Sequence, residues 1–254
     1  MLLKITEKCS MNCTHCMNRA TADGEHMTEQ TFDDALDFLL DNNACDVVTL
    51  TGGEPTEHPE FSKLMWKLIS KMEYEERPCI VNITTNGFWC LEHPEEAKKI
   101  AVETKYVKVF WQVSTDRRYY PKELPTHKKL WREPGFCLCE DCVESLYPQG
   151  RAIDNYPGSC SAKASKCFNV RALAKQITNP SIERIVRMLM ERQKFCTPAI
   201  RIDGSISLGE SDLCPKMASI YDNPDEIVRN IISFKCHQCD HINDKLPDLY
   251  KRFL

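Results

Sequence analysis

Three cysteines near the start of the chain stand at a spacing that suits a small inorganic cluster. Cys9, Cys13 and Cys16 form the pattern Cys-x3-Cys-x2-Cys, directly after the short apolar run 2–5. A closed iron–sulfur or zinc site normally takes four protein ligands, so three thiolates would leave one metal position open, as a reactive site requires. The alternative is a zinc knuckle that takes its fourth ligand from elsewhere, for example from His15.

A second motif, Gly52-Gly53-Glu54-Pro55, follows the segment 47–51, which predicts a buried strand. Two adjacent glycines allow the backbone to approach a ligand closely, and the carboxylate of Glu54 would then face that ligand. A closed structural cluster needs no such strand end, so the second motif favours the reactive site over the zinc knuckle.

The order and separation of the two motifs resemble the radical S-adenosylmethionine (SAM) superfamily. The resemblance implies that Cys9, Cys13 and Cys16 hold a [4Fe–4S] cluster whose open iron binds the amino and carboxylate groups of SAM. It implies that Gly52, Gly53 and Glu54 meet the SAM amino group. It also implies that His15 packs beside adenine, since the family often has an aromatic residue just before the third cysteine.

Length and composition restrict the class of protein. The chain has 254 residues, enough to bury a sizeable core, and its net charge of −4 shows no basic excess for nonspecific nucleic-acid binding. We find no apolar run of membrane-spanning length and no secretory signal, so we expect no membrane partner. The fifteen cysteines, several of them clustered, then predict metal ligands in a reducing compartment, and we expect a cytoplasmic protein.

Strands and helices alternate in the first half of the chain. Strands are expected at 2–6, 46–51, 80–84 and 107–114, and helices after the N-cap Thr28, at about 59–72 and at 94–104. This alternation predicts right-handed parallel crossover units. Functional residues gather at the carboxyl ends of such strands, where both motifs fall together with Thr85, Asn86, Ser114 and Asp116.

The resemblance implies that this half is an α/β fold, a partial (β/α)6 TIM-like barrel over residues 1–155. It suggests roles for Thr85, Asn86, Ser114 and Asp116 around the ribose and methionine ends of SAM, although Thr-Asn-Gly after a strand is also an ordinary turn. The segment 148–152 resembles the Pro-x-Gly-Arg-Ala run of members with a C-terminal cluster-binding extension, which implies that Arg151 serves cofactor binding.

Residues 156–254 change character and predict a small α+β extension. Helices are expected at 170–176, 180–194 and 224–233, and the segment 199–208 predicts a β-hairpin with a type I′ turn at Asp203-Gly204. The order of cysteine, hairpin, cysteine, helix and Cys-x2-Cys resembles the SPASM or twitch extension of radical SAM proteins.

This second resemblance implies an auxiliary [4Fe–4S] cluster on Cys196, Cys214, Cys236 and Cys239. The alternative is a structural zinc ion held by Cys236, Cys239 and two other residues. Further candidate ligands of the auxiliary cluster, or of a further metal, are Cys137, Cys139, Cys142, Cys160 and Cys167.

The resemblance implies that the protein cleaves SAM reductively to a 5′-deoxyadenosyl radical, which abstracts hydrogen from a substrate. Extensions of this type accompany peptide modification, so a peptide or protein side chain is the expected substrate, with a small metabolite or glycyl-radical activation of a partner enzyme as alternatives. The expected partner is a one-electron donor such as flavodoxin or ferredoxin. A further alternative is a non-catalytic iron–sulfur or zinc module, against which the three-ligand site argues.

Overall fold

The computed structural model describes residues 1–114, 129–139, 150–156, 179–192, 198–212 and 214–233. The strands in chain order are β1 (Leu2–Thr6), β2 (Val47–Gly52), β3 (Cys79–Thr85), β4 (Val107–Ser114), β5 (Phe136–Cys139), β6 (Pro198–Ile200), β7 (Ser205–Leu208) and β8 (Lys216–Ser219). The α-helices are α1 (Glu29–Asp41), α2 (Phe61–Tyr74), α3 (Phe88–Glu92), α4 (Pro94–Ile100), α5 (Arg151–Asn155), α6 (Ile182–Arg192) and α7 (Pro224–Ser233). Short 3₁₀ turns occupy Pro55–Glu57 and Lys129–Arg132. In the described part of the chain, no helix combines the length and apolar character needed to span a bilayer.

All eight strands belong to one open sheet with the order β5-β4-β3-β2-β1-β6-β7-β8. The first six strands of that order are parallel to one another. Strand β7 runs antiparallel to β6, and β8 runs antiparallel to β7. This confirms the α/β partial barrel. Within residues 1–155 the described part supplies five parallel strands, and β6 adds the sixth by pairing with β1. The predicted domain boundary after residue 155 stays a prediction.

The two faces of the sheet differ in chemistry because side chains alternate along a strand. Leu3, Ile5, Val48 and Leu50 belong to the buried core, which they share with the apolar sides of α1 and α2. The intervening positions face the other side and are mostly polar: Lys4, Thr6, Thr49, Thr51, Asn82, Thr84 and Gln112.

The helices largely follow their sequence patterns. Thr28 caps α1 as predicted, its hydroxyl accepting a hydrogen bond from the Thr31 amide at 3.1 Å. The helix predicted at 94–104 ends earlier, at Ile100, because Glu103 and Thr104 turn back to pair with the start of β4. Helices α6 and α7 confirm two of the three helices predicted in the extension, and the segment 170–176 lies outside the described residues.

The hairpin of β6 and β7 is confirmed, but its turn is not type I′. That turn requires positive φ at two central residues, whereas in residues 201–204 only Gly204 has positive φ, at +78°. The Asp203 carboxylate accepts hydrogen bonds from the Ser205 amide at 3.1 Å and its hydroxyl at 2.6 Å. The Arg201 amide still donates to the Ser205 carbonyl at 2.8 Å, so the loop has three residues, 202–204, and ends in one left-handed glycine.

Candidate functional site

The three cysteines of the first motif lie on one loop between β1 and α1. Cys13 is buried against Met11, and the half-buried Cys9, Cys16 and Phe88 contact the same small cluster. The amide of Cys16 donates to the carbonyl of Cys13 at 3.2 Å, which closes the turn between them. The structure therefore places the three cysteines in or against one small cluster at the carboxyl end of β1.

The environment of Cys9 and Cys13 disfavours their free thiolates. Burial raises the pKa of Cys13 to about 12, with further increases from the neighbouring Cys9 and Cys16, and burial also raises the pKa of Cys9 to about 11. Such thiols stay protonated at neutral pH unless a metal ion displaces the protons. The donor set thus fits a metal centre better than a thiolate nucleophile. Among the described residues, no three His, Cys, Asp or Glu side chains already converge to hold an ion, so the cluster stays a prediction.

Glu57 fixes the beginning of this loop. Its two carboxylate oxygens accept from the Ser10 amide at 2.8 and 3.1 Å, and Oε2 also accepts from the Ser10 hydroxyl at 2.7 Å. Since Ser10 follows Cys9 directly, the contact ties the first cysteine to the turn after the second motif. The sequence prediction missed Glu57, because nothing in its spacing connects it to a serine in a distant loop.

Arg151 fixes the other end of the loop. Its guanidinium donates from Nε to the Cys13 carbonyl at 2.8 Å and from Nη2 to the Ala20 carbonyl at 2.9 Å, while its amide donates to the Cys16 carbonyl at 2.8 Å. Arg151 was predicted to serve cofactor binding. In the structure its side chain positions the cysteine loop.

The residues around Arg151 support the same contact. A Cβ atom on Gly150 would lie 2.3 Å from the Cys16 carbonyl oxygen, so only glycine permits this approach. Asn155 donates to the Thr14 carbonyl at 2.7 Å, and the Thr14 and Tyr156 hydroxyls lie 2.7 Å apart. Residues 150–156, although they come far later in the chain, therefore bond to the cysteine loop at several positions.

The two glycines of the second motif are required by chain packing. Cβ atoms on Gly52 and Gly53 would lie 2.0 Å from the carbonyl oxygens of Thr6 and Lys8, respectively. The amide of Gly53 donates to the Thr6 carbonyl at 2.8 Å. The glycines thus let the end of β2 approach the start of the cysteine loop. Their predicted contact with SAM stays a prediction.

Glu54 is a buried hydrogen-bond acceptor between β2 and β3. Its Oε1 accepts from the Thr56 hydroxyl at 2.7 Å and the Thr85 hydroxyl at 2.8 Å, and its Oε2 accepts from the Asn86 amide at 2.7 Å. Burial raises the pKa of Glu54, and these hydrogen bonds oppose the increase. The predicted contact with the SAM amino group stays a prediction. The observed role of Glu54, Thr85 and Asn86 is to join two strand ends.

The other predicted site residues are placed as follows. His15 lies half-buried on the cysteine loop, and Ser114 lies half-buried at the end of β4. Cys137 is exposed on β5, where Cys139 pairs in register with Ser114. The remaining predicted residues except Cys214 lie outside the described part of the chain: Asp116, Cys142, Cys160, Cys167, Cys196, Cys236 and Cys239.

Cys214 is buried beside a guanidinium that the sequence prediction missed. Arg201 donates from Nε to the Ser207 hydroxyl at 3.1 Å and from Nη2 to the Ser211 carbonyl at 2.9 Å, and it also donates to the Cys214 carbonyl. A bond from the Cys214 amide to the Ser211 carbonyl, at 3.0 Å, closes the turn. The sequence signal that could have indicated this contact is Arg201 itself, a charged residue between the apolar residues Ile200 and Ile202.

The loop after β7 contacts the end of the cysteine loop. Arg19 forms an ion pair with Asp212 at 3.0 Å, and the Ser211 hydroxyl donates to the Met17 carbonyl at 3.1 Å. Asn18 contacts Glu210 at 3.1 Å. No sequence pattern predicts these contacts, because nearly two hundred residues separate the partners.

Comparisons with known proteins agree with this geometry. The family model described as the radical SAM superfamily matches residues 3–133, just over half of the 254-residue chain. The fold is similar to that of BtrN in complex with AdoMet and 2-DOIA, with a TM-score of 0.55 and 12% identity over 96% of this chain and 89% of that chain. It is also similar to Streptococcus suis SuiB bound to S-adenosylmethionine, with a TM-score of 0.51 and 13% identity over 92% of this chain and 68% of that chain. No curated protein sequence matches the chain.

Proposed function

The chain belongs to the radical SAM superfamily, and from this membership we propose that it is an enzyme that uses a [4Fe–4S] cluster and SAM to abstract hydrogen from a substrate through a 5′-deoxyadenosyl radical. The observation that carries the proposal is the packing of Cys9, Cys13 and Cys16 in one small cluster at a strand end, next to the approach of Gly52 and Gly53. Three thiols from one loop would leave a fourth metal position for a ligand from outside the chain.

The described residues hold and orient this site. Cys9, Cys13 and Cys16 would ligate the cluster, and Glu57 and Arg151 fix the backbone between them. A positioned loop matters because radical chemistry demands that the reacting atoms be held close and that water be excluded. The cofactors supply the bond-breaking chemistry, and the protein supplies position.

We propose a peptide or protein side chain as the substrate and an auxiliary [4Fe–4S] cluster on Cys196, Cys214, Cys236 and Cys239. Support comes from the order of cysteines and hairpin in the C-terminal segment, which resembles extensions that accompany peptide modification. The arginine-fixed backbone at Cys214 suits a rigid ligand position. We also propose a cytoplasmic location and an electron donor of the flavodoxin or ferredoxin type.

A small molecule is the second candidate substrate. It is favoured by the similarity to BtrN, a chain matched over 89% of its length and solved with a ligand, 2-DOIA, besides AdoMet. Fold similarity alone does not transfer a substrate, so this candidate is weighed by experiment.

Anaerobic reconstitution with iron and sulfide, followed by dithionite and SAM, tests the activity. We expect 5′-deoxyadenosine and methionine to accumulate, as detected by liquid chromatography and mass spectrometry. A matched Cys45→Ala variant, which removes a buried cysteine outside the loop, serves as the control. A fully loaded protein that leaves SAM intact would instead indicate a non-catalytic cluster module.

A further inference from the structure

Asn18 carries a buried acceptor that the described residues leave unpaired. The side-chain Nδ2 donates to the Gly52 carbonyl at 2.9 Å and to Glu210 Oε1 at 3.1 Å. Its Oδ1 is buried and has no hydrogen-bond partner among the described residues. Two acceptors face Nδ2, so exchanging the amide oxygen and nitrogen would place oxygen against oxygen, and the orientation is settled by its contacts.

A buried acceptor without a donor loses the hydrogen bonds that water would give it in the unfolded chain, which is costly. Native proteins rarely leave such groups unsatisfied, and an exception calls for a donor from water or a ligand. The position of Asn18 is informative, because it lies two residues after Cys16 and bonds to the carbonyl of Gly52. The missing donor therefore belongs beside the cofactor motifs.

Glu210, which accepts one of the Asn18 hydrogen bonds, provides a second observation, namely its charge. It is half-buried after β7, and its Oε1 accepts from the Thr51 hydroxyl as well as from Asn18. Thr51 lies on the polar face of the sheet, opposite Lys4 in register. Among the described residues, no lysine, arginine or histidine forms an ion pair with Glu210, whereas the nearby Asp212 is paired with Arg19.

We infer that Asn18 and Glu210 form a subsite for a protonated amine of the substrate, beside the cysteine loop on the polar face of the sheet. A primary ammonium satisfies both requirements, since it donates a hydrogen bond to the Asn18 carbonyl oxygen and brings the positive charge that Glu210 lacks. The inference rests on the proposed function and names the chemical group by which the substrate is held. In a peptide, that group is a lysine side chain or the amino terminus.

The test uses the reconstituted protein with bound SAM and two small probes of similar shape, propylammonium and propanol. Saturation-transfer difference NMR should detect propylammonium and give a weaker response for propanol. The variant Glu210→Gln keeps an oxygen for Asn18 and Thr51 but removes the charge, so its affinity for propylammonium should fall about tenfold. Glu226→Gln, which removes an exposed carboxylate on α7, should leave the affinity unchanged.

Asn18→Ala gives a second variant, which should weaken propylammonium binding while the midpoint of thermal unfolding shows that the protein is folded. Equal binding of propylammonium to wild type and Glu210→Gln, or no preference over propanol, overturns the inference. A SAM affinity that falls tenfold in Glu210→Gln also overturns it, because the amine would then be that of the cofactor. If wild-type protein cleaves SAM yet binds no amine, only this inference fails. If it does not cleave SAM, the proposed function fails.

Discussion

Two arginines hold the two described cysteine turns, and they do so in different ways. Arg151 reaches the turn of Cys13 and Cys16 from 138 residues away, and it is half-buried. Arg201 lies only 13 residues from Cys214 and is 9% exposed. The first turn therefore depends on tertiary structure, whereas the second is built into a local hairpin.

The charges beneath the two turns also differ. The carboxylates of Glu54 and Glu57 lie near Cys9 and contribute to its raised pKa, after the larger effect of burial. A buried guanidinium lies beneath the Cys214 turn. An anionic surrounding attracts a cationic metal centre to thiols, and a locally fixed turn offers a rigid ligand. The comparison is consistent with our proposal that the first turn holds the reactive cluster and that the second supplies a ligand, Cys214, to an auxiliary cluster.

Removing the thiols of the first turn is the strongest test of this comparison. The triple variant Cys9→Ala, Cys13→Ala and Cys16→Ala should lose all dithionite-driven formation of 5′-deoxyadenosine, because no ligand remains for the reactive cluster. Iron in the C-terminal segment should persist, at about four atoms per chain for one auxiliary [4Fe–4S] cluster. Undiminished SAM cleavage would contradict the assignment, and zinc in place of residual iron would make the second site a structural zinc.

Arg201→Ala should cause the largest loss of stability. The substitution removes the buried guanidinium that donates to the carbonyls of Ser211 and Cys214. We expect the free energy of unfolding to fall by about 3 kcal/mol, as measured by urea denaturation. Arg187→Ala, which removes an exposed ion pair with Asp46, is the matched control and should cost under about 1 kcal/mol. Equal losses in both variants would show that the second turn does not depend on its arginine.

Arg151→Ala should have a smaller effect on stability and a specific effect on the first turn. It removes two hydrogen bonds to loop carbonyls, at 2.8 and 2.9 Å, from a half-buried site. We expect a loss of about 1–2 kcal/mol in unfolding free energy. Iron bound by the first turn should become easier to remove with a chelator. Arg151→Lys keeps the positive charge but loses the planar guanidinium that donates to two carbonyls at once, so it should retain iron little better than Arg151→Ala. Iron retention equal to that of wild type would mean that the loop holds its own shape.

The sequence predicted the parts of this comparison that local patterns encode. The strands β1 to β4, the Thr28 cap and the hairpin follow from alternation, helical spacing and turn residues, and all were confirmed. The contacts of Arg151 and Glu57 with the cysteine loop were not predictable, because they join segments that only the fold brings together. The hairpin turn was predicted wrongly because a type I′ turn needs two residues with positive φ, and in residues 201–204 only Gly204 has one.

The smallest of the expected effects is the pH dependence of stability that Glu54 causes, and it develops gradually with pH. Burial raises its pKa from the ordinary value of 4.5, so above pH 4.5 the folded protein retains a proton that the unfolded chain has released. Stability must then fall as pH rises from 4.5 toward the folded-state pKa, with a slope of at most about 1.4 kcal/mol per pH unit. Glu54→Gln has no such titration, and we expect it to be less stable at every pH because its amide has one acceptor oxygen, whereas Thr85 and Asn86 donate to different oxygens of Glu54. The stability advantage of wild type over Glu54→Gln, measured by urea unfolding, should therefore shrink as pH rises. A constant difference between the two profiles would mean that Glu54 stays ionised, and the anionic surrounding of the first turn would then persist at low pH.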